Sequence, residues 1–111
     1  MTQQSVALFL PAWNEAENLP YVVGEAAAFL HDRGGDFTVI IVNDGSTDNT
    51  DEVVASLQKV FPGHVQLVKH ERNLGYGAAL RSGLKAGLDT HYDWVCFVDG
   101  DGQFMVMRWE N

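Results

Sequence analysis

Basic residues are scarce in this chain: 7 Lys and Arg stand against 15 Asp and Glu, a formal charge of −8. Nucleic acid and anionic membrane surfaces both call for a basic face, so neither is expected as the main partner. Cysteine is nearly absent. A lone Cys96 excludes an internal disulfide and a multi-cysteine metal site, and its place in an apolar run predicts a buried, inert thiol. No apolar run approaches the roughly 18–20 residues that a membrane span requires. Met1-Thr2-Gln3-Gln4 carries no positive charge ahead of the first apolar stretch, so no signal peptide is expected. Repeats, linkers and low-complexity segments are missing as well. What remains is 111 residues with 46% hydrophobic content, six Phe, three Trp and three Tyr, enough for the packed core of one small soluble domain, expected in the cytoplasm.

The pattern along the chain alternates. Ser5 to Leu10 reads as a buried strand closed by Pro11. Leu19, Val22, Val23, Ala26, Ala27 and Leu30 recur at helical spacing, with Asn18 as the expected N-cap, Pro20 in the first turn and Gly34-Gly35 as the stop. Phe37 to Val42 is a second strand. The next helix carries Val53, Val54, Leu57, Val60 and Phe61 on one face and ends before Pro62-Gly63. Val65 to Val68 is a third strand, and Ala78 to Leu88 a helix expected to be loosened by Gly83 and Gly87. Trp94 to Val98 is a fourth strand. The order β-α-β-α-β-α-β, with continuous apolar strands, predicts an α/β fold: a four-stranded parallel sheet with helices on both faces and right-handed crossovers. Phe104 to Asn111 continues neither pattern, so residues 1–103 are read as the domain and 104–111 as an atypical tail.

In such a sheet, ligands bind beyond the carboxyl ends of the strands, where strand order reverses. All four strands here end in polar, turn-rich segments: Pro11-Ala12-Trp13-Asn14-Glu15, Asn43-Asp44-Gly45-Ser46, Asn73-Leu74-Gly75-Tyr76-Gly77 and Asp99-Gly100-Asp101. Asp99 and Asp101 alternate with glycines, which let both carboxylates turn toward one point. Their hard oxygens suit Mg²⁺ or Mn²⁺, with Gln103 as a further donor, and the alternative is a solvated acidic turn. Asp44 is placed to accept a nucleobase ring N–H or simply to organise its turn, with Ser46 capping the helix that follows. Asp48, Asp51 and Glu52 complement that helix's dipole. Arg72, Arg81 and Lys85 are either phosphate contacts or solubilising charges. Trp13 either stacks on a base or packs in the core. The four histidines show no ligand spacing, and His70, near the expected mouth, carries no assigned role. No Ser/His/Asp or Cys/His arrangement stands out, and the nucleophile elbow, the Walker A loop and the full dinucleotide fingerprint are absent.

Taken in order and spacing, Pro11–Glu15, Val42–Asp48, Asn73–Ala79 and Asp99–Gln103 make residues 5 to about 103 resemble the N-terminal half of a family 2 glycosyltransferase of the GT-A fold. The similar branch is that of the dolichol-phosphate mannose synthase-like and undecaprenyl-phosphate sugar transferases. The resemblance implies that Pro11, Ala12, Trp13 and Glu15 line a nucleotide pocket, Trp13 standing where Tyr or Phe is commoner. It implies that Asp44 binds the base, and that Gly75, Arg81, Asp99 and Gly100 complete the nucleotide-sugar site. Asp99 and Asp101 match the DxD pair that holds Mg²⁺ or Mn²⁺ against the diphosphate, and Gln103 matches an extra ligand. The implied reaction is inverting: transfer from a GDP- or UDP-linked sugar to a lipid-phosphate or glycan acceptor, for which a polyprenyl phosphate at the cytoplasmic membrane face is expected.

The chain also departs from the family pattern. It ends eight residues after Gln103, before the acceptor half and its catalytic base. Met105-Val106-Met107 replaces an Asp-Pro type continuation, and Arg108-Trp109 is too early to match the QxxRW motif of processive members. The expectation is a donor-binding half, inactive alone, with a non-catalytic binding module as the alternative. An incomplete sheet would leave apolar surface exposed, so a homodimer or limited solubility is expected.

Overall fold

The computed structural model describes residues 4–98 and, for 104–108, the backbone alone. Parallel strands β1 (Val6–Ala12), β2 (Phe37–Asp44), β3 (Val65–His70) and β4 (Trp94–Val98) are joined by helices α1 (Leu19–Arg33), α2 (Thr50–Val60) and α3 (Tyr76–Leu88). This is the alternation that the apolar spacing predicts. β5 (Phe104–Arg108) is an addition, antiparallel to β4 from Trp94↔Arg108 to Val98↔Phe104. It corrects the expectation that Phe104–Arg108 follows no pattern. The five residues between Val98 and Phe104 are too few for a crossover, so the apolar run that follows can pair with β4 only by turning back.

Strand order is β3-β2-β1-β4-β5. The chain builds outward from β1 to β3, then returns to the other side of β1, so the order reverses between β1 and β4. The side chains of β1 and β2 alternate between faces, as the two-residue period of a strand requires. Leu8, Leu10, Val39 and Ile41 meet Val23, Leu30 and Val54 of α1 and α2 on one face. Ala7, Phe9 and Ile40 join Val95 under α3 on the other. Because both faces are covered, β2 is buried along its whole length, and from Phe37 to Val42 Thr38 is its one polar residue.

Two glycines set the height of α3. A Cβ on Gly83 would stand 2.2 Å from Phe9 Cδ2, and one on Gly87 2.7 Å from Val95 Cγ1. With Ala79 they form the buried line of the helix. The expectation that these glycines loosen α3 is therefore reversed: they let its backbone lie close on the sheet, and packing outweighs helix propensity.

Local details also differ from expectation. β1 runs through Pro11 to Ala12, paired there with Val42 and Asn43 of β2, whereas its pairing with β4 ends at Phe9↔Phe97. Asn18 stands at the α1 N-cap without capping it, its amide donating instead to Glu15 Oε2 at 3.0 Å. The first turn of α2 is served by Asp48, which accepts from the Thr50 backbone N–H at 3.1 Å and from the Thr50 hydroxyl, and not by Ser46. Ser46 Oγ accepts from the Asn14 backbone N–H at 3.0 Å.

Candidate functional site

β1 and β4 part after Phe9, while β1 stays paired with β2 for three more residues. The gap opens at the carboxyl ends of the strands, at the point where strand order reverses, which is where an open α/β sheet offers a crevice. A cleft of about 310 Å³ lies beside it, at the carboxyl ends of β1 and β2 and the start of α3. Pro11, Ala12, Trp13 and Glu15 line one side, and Asp44, Asn73, Tyr76 and Ala79 the rest. Five of the residues singled out in the sequence thus share one cavity. Asn73, Tyr76 and Ala79 were not assigned roles there, although all lie in the glycine-rich segment after β3. Trp13 is 51% exposed and Tyr76 53%, so these rings belong to the cleft rim rather than to the core. Gly75 and Arg81 do not line the cleft. Gly75 contributes its backbone N–H to Asp44, and Arg81 lies exposed on α3 with its guanidinium beside Gly77.

The loops are tied to one another. Asn14 adopts φ 53°, a left-handed conformation that asparagine tolerates, and its Oδ1 accepts from the Thr47 backbone N–H at 2.7 Å. Asp48 Oδ2 accepts from the Ala16 backbone N–H at 3.2 Å. The β1–α1 loop is thereby fastened to the β2–α2 loop. On the other flank Gly45, at φ 71°, lies so close to the β3–α3 loop that a Cβ would stand 2.2 Å from the Arg72 carbonyl carbon. No other residue type fits that backbone-to-backbone contact.

This contact folds the β3–α3 loop over Asp44. Asp44 Oδ1 accepts from the Leu74 N–H at 2.9 Å and from His70 Nδ1 at 2.8 Å, while Oδ2 accepts from the Gly75 N–H at 3.1 Å. His70 stands opposite Asp44 in the parallel β2–β3 register, and its Nε2 lies 2.7 Å from Ser82 Oγ on α3. The Asp44 and His70 side chains are 6% and 10% exposed. Burial alone would push the Asp44 carboxyl up. The hydrogen bonds from His70, Leu74 and Gly75, with the attraction of a charged imidazole, outweigh it and hold the group below the ordinary carboxylate range. At neutral pH the cleft therefore contains an ionised acceptor held in place by three donors. An Asp-His-Ser array, absent from the reading of the sequence, exists here. Strand register and a helix crossing create it, and no spacing in the chain signals it.

Asp99, Gly100, Asp101 and Gln103 lie outside the described residues, among which no group of three or more His, Cys, Asp or Glu is placed to hold a metal. The donors in the segment that follows β4 in the sequence are all hard oxygens, which fit Mg²⁺ or Mn²⁺. Among the described residues no helix is long and apolar enough to cross a membrane.

A model of glycosyl transferase family 2 matches residues 7–111. The chain belongs to that family. This family 2 chain is 34% identical over 110 residues to a dolichyl-phosphate beta-glucosyltransferase of Trichomonas vaginalis, covering 95% of the chain and 33% of that protein. It is 31% identical over 99 residues to a polyprenol monophosphomannose synthase of Mycolicibacterium smegmatis, covering 89% of the chain and 36% of that protein. The chain thus spans about a third of the length of these relatives. Its fold is that of a Pyrobaculum calidifontis mannosyltransferase solved with GDP-Man and Mn²⁺, with TM-score 0.70, 21% identity, and coverage of 90% of this chain and 30% of that one. Glucosyl-3-phosphoglycerate synthase of Mycobacterium tuberculosis, solved with Mn²⁺, UDP and glucosyl-3-phosphoglycerate, gives TM-score 0.65 at 25% identity over 86% of this chain and 33% of that one. The α/β sheet with helices on both faces is accordingly a GT-A fold.

Proposed function

We propose that this family 2 chain forms the donor side of a metal-dependent, inverting glycosyltransferase, binding a nucleoside diphosphate sugar in the cleft at the carboxyl ends of β1 and β2. The observation that carries the proposal is the convergence of Pro11, Ala12, Trp13, Glu15 and Asp44 on one cavity at the carboxyl ends of β1 and β2. Trp13 and Tyr76 offer aromatic faces to the base, and the ionised Asp44 accepts one of its N–H groups. Asp99, Asp101 and Gln103 would hold the cation, Mg²⁺ or Mn²⁺, which when bound offsets charge on the diphosphate. Direct attack by the acceptor oxygen forms the new glycosidic bond and breaks the bond from the anomeric carbon to the diphosphate. The electron pair leaves with the nucleoside diphosphate, and the sugar's configuration inverts.

The names of the relatives support a polyprenyl phosphate as the acceptor, which would bring the reaction to a membrane's cytoplasmic face. Donor binding without turnover is the second reading for these residues taken alone, because the chain spans about a third of those relatives. Calorimetric titration with UDP, GDP and their sugar conjugates, with and without Mn²⁺, tests the donor assignment. Binding strengthened by Mn²⁺ is expected, with the metal-dependent part lost in Asp101→Ala. A folded sample that binds none of these ligands would overturn the proposal. Glycosyl transfer by the 111-residue chain would exclude the non-catalytic reading.

A further inference from the structure

We infer that His70 is a positioning residue which, acting through Asp44, restricts the cleft to bases that present a single N–H, as uracil does, rather than the paired donors of guanine. The inference rests on the reading of the cleft as a nucleotide site and adds the class of base.

The argument is a count of acceptor positions. An ionised carboxylate offers roughly four, two on each oxygen. His70 Nδ1 and the Leu74 N–H take both positions on Oδ1, at 2.8 and 2.9 Å, and the Gly75 N–H takes one on Oδ2 at 3.1 Å. Among the described residues nothing else donates to Asp44, so one acceptor position on Oδ2 remains. Uracil needs one acceptor for its N3–H. Guanine presents N1–H and its 2-amino group side by side, a pair that suits a carboxylate only when both oxygens are open. Against Asp44, whose side chain is 6% exposed, one of these donors is left unpaired, which is costly.

His70 keeps Oδ1 filled. Nδ1 faces a carboxylate oxygen, so it carries the proton and donates. Nε2 faces the Ser82 hydroxyl, which can donate to a neutral ring or accept from a charged one. The ring is thus held in the same place in either protonation state. Ser82 does not line the cleft, so its hydroxyl anchors the imidazole and is not presented to a ligand.

The test separates hydrogen-bond count from ring size. The full chain is titrated calorimetrically with UDP, GDP and inosine diphosphate in the presence of Mn²⁺. Inosine diphosphate keeps both rings of a purine but lacks the 2-amino group. UDP and inosine diphosphate are each expected to bind about tenfold or more tighter than GDP. In His70→Leu, Oδ1 is freed and the gap between inosine diphosphate and GDP closes. In His70→Asn an amide nitrogen replaces Nδ1 and the gap returns. Should His70→Leu fail to fold, Ser82→Ala, which removes only the Nε2 partner, is expected to narrow the same gap. Equal binding of GDP and inosine diphosphate by the wild type, or an undiminished gap in both the His70→Leu and Ser82→Ala variants, would overturn the inference. If the folded wild type bound no nucleotide, the reading of the cleft would fall with it. Binding without a gap would remove the inference alone.

Discussion

Phe9 Cδ2 lies 2.2 Å from the point where Gly83 would carry a Cβ, so α3 rests on β1 only because residue 83 is glycine. Alanine has the better helix propensity by up to about 1 kcal/mol, but overpacking a buried contact costs about 1–3 kcal/mol. Gly83→Ala is therefore expected to lower stability in urea denaturation. In a Phe9→Ala background the same change should cost nothing further, since the ring it collides with is gone. Additive losses in the double variant would contradict this packing.

Gly45 combines φ 71° with backbone contact to Arg72. A side chain there is strained in itself and displaces the loop that covers Asp44. Gly45→Ala is expected to cost about 2–4 kcal/mol, from left-handed strain together with overlap. It should also weaken nucleotide binding, because Asp44 loses the Leu74 and Gly75 N–H groups. Unchanged affinity in a destabilised but folded variant would show that this loop does not serve the cleft.

Trp13 is half exposed at the cleft rim. Trp13→Ala should leave stability within about 0.5 kcal/mol, as for most surface substitutions. If the ring stacks on the base, nucleotide binding weakens by about 1–3 kcal/mol. Calorimetry paired with thermal unfolding separates these effects, and a large loss of stability would mean that Trp13 belongs to the core.

Among the described residues, three carboxyl groups titrate below their ordinary value of 3.8 in the folded protein. The Lys69 ammonium, with the Asn43 amide, holds Asp51 down. The Thr50 hydroxyl and backbone N–H groups hold Asp48 down. Asp44 is lowered by His70, Leu74 and Gly75 against its burial. A folded-state value below the unfolded one means that the native state holds its protons less tightly. The stability contributed is complete above the ordinary aspartate value and is lost as pH falls through the lower folded values. Urea midpoints measured from about pH 6 down to about pH 2 should decline in the acid range, and less steeply in Asp51→Asn. An identical acid decline in that variant would remove Asp51 from the account.

The sequence by itself determines the elements. Strands covered on both faces must be largely apolar, as Phe37–Val42 is but for Thr38, and helices covered on one face must repeat at helical spacing, as Leu19 to Leu30 does. Both signals are local and survive without knowledge of partners. The direction of the chemistry is legible too, since parallel strands joined by crossovers bring every strand-to-helix loop to one edge, Asp44 and Trp13 among them.

Only the tertiary structure decided the rest. Gly83 reads as a weakness of its helix until Phe9 is seen beneath it. His70 has no local signal, being 26 residues from Asp44 and 12 from Ser82. The parallel register of β2 and β3 sets His70 opposite Asp44, and the return of α3 across the sheet brings Ser82 to its other nitrogen. Register and crossing follow from the global packing of two covered faces. The identity of a residue is therefore written in the chain, but the partner that gives it a role is written in the fold.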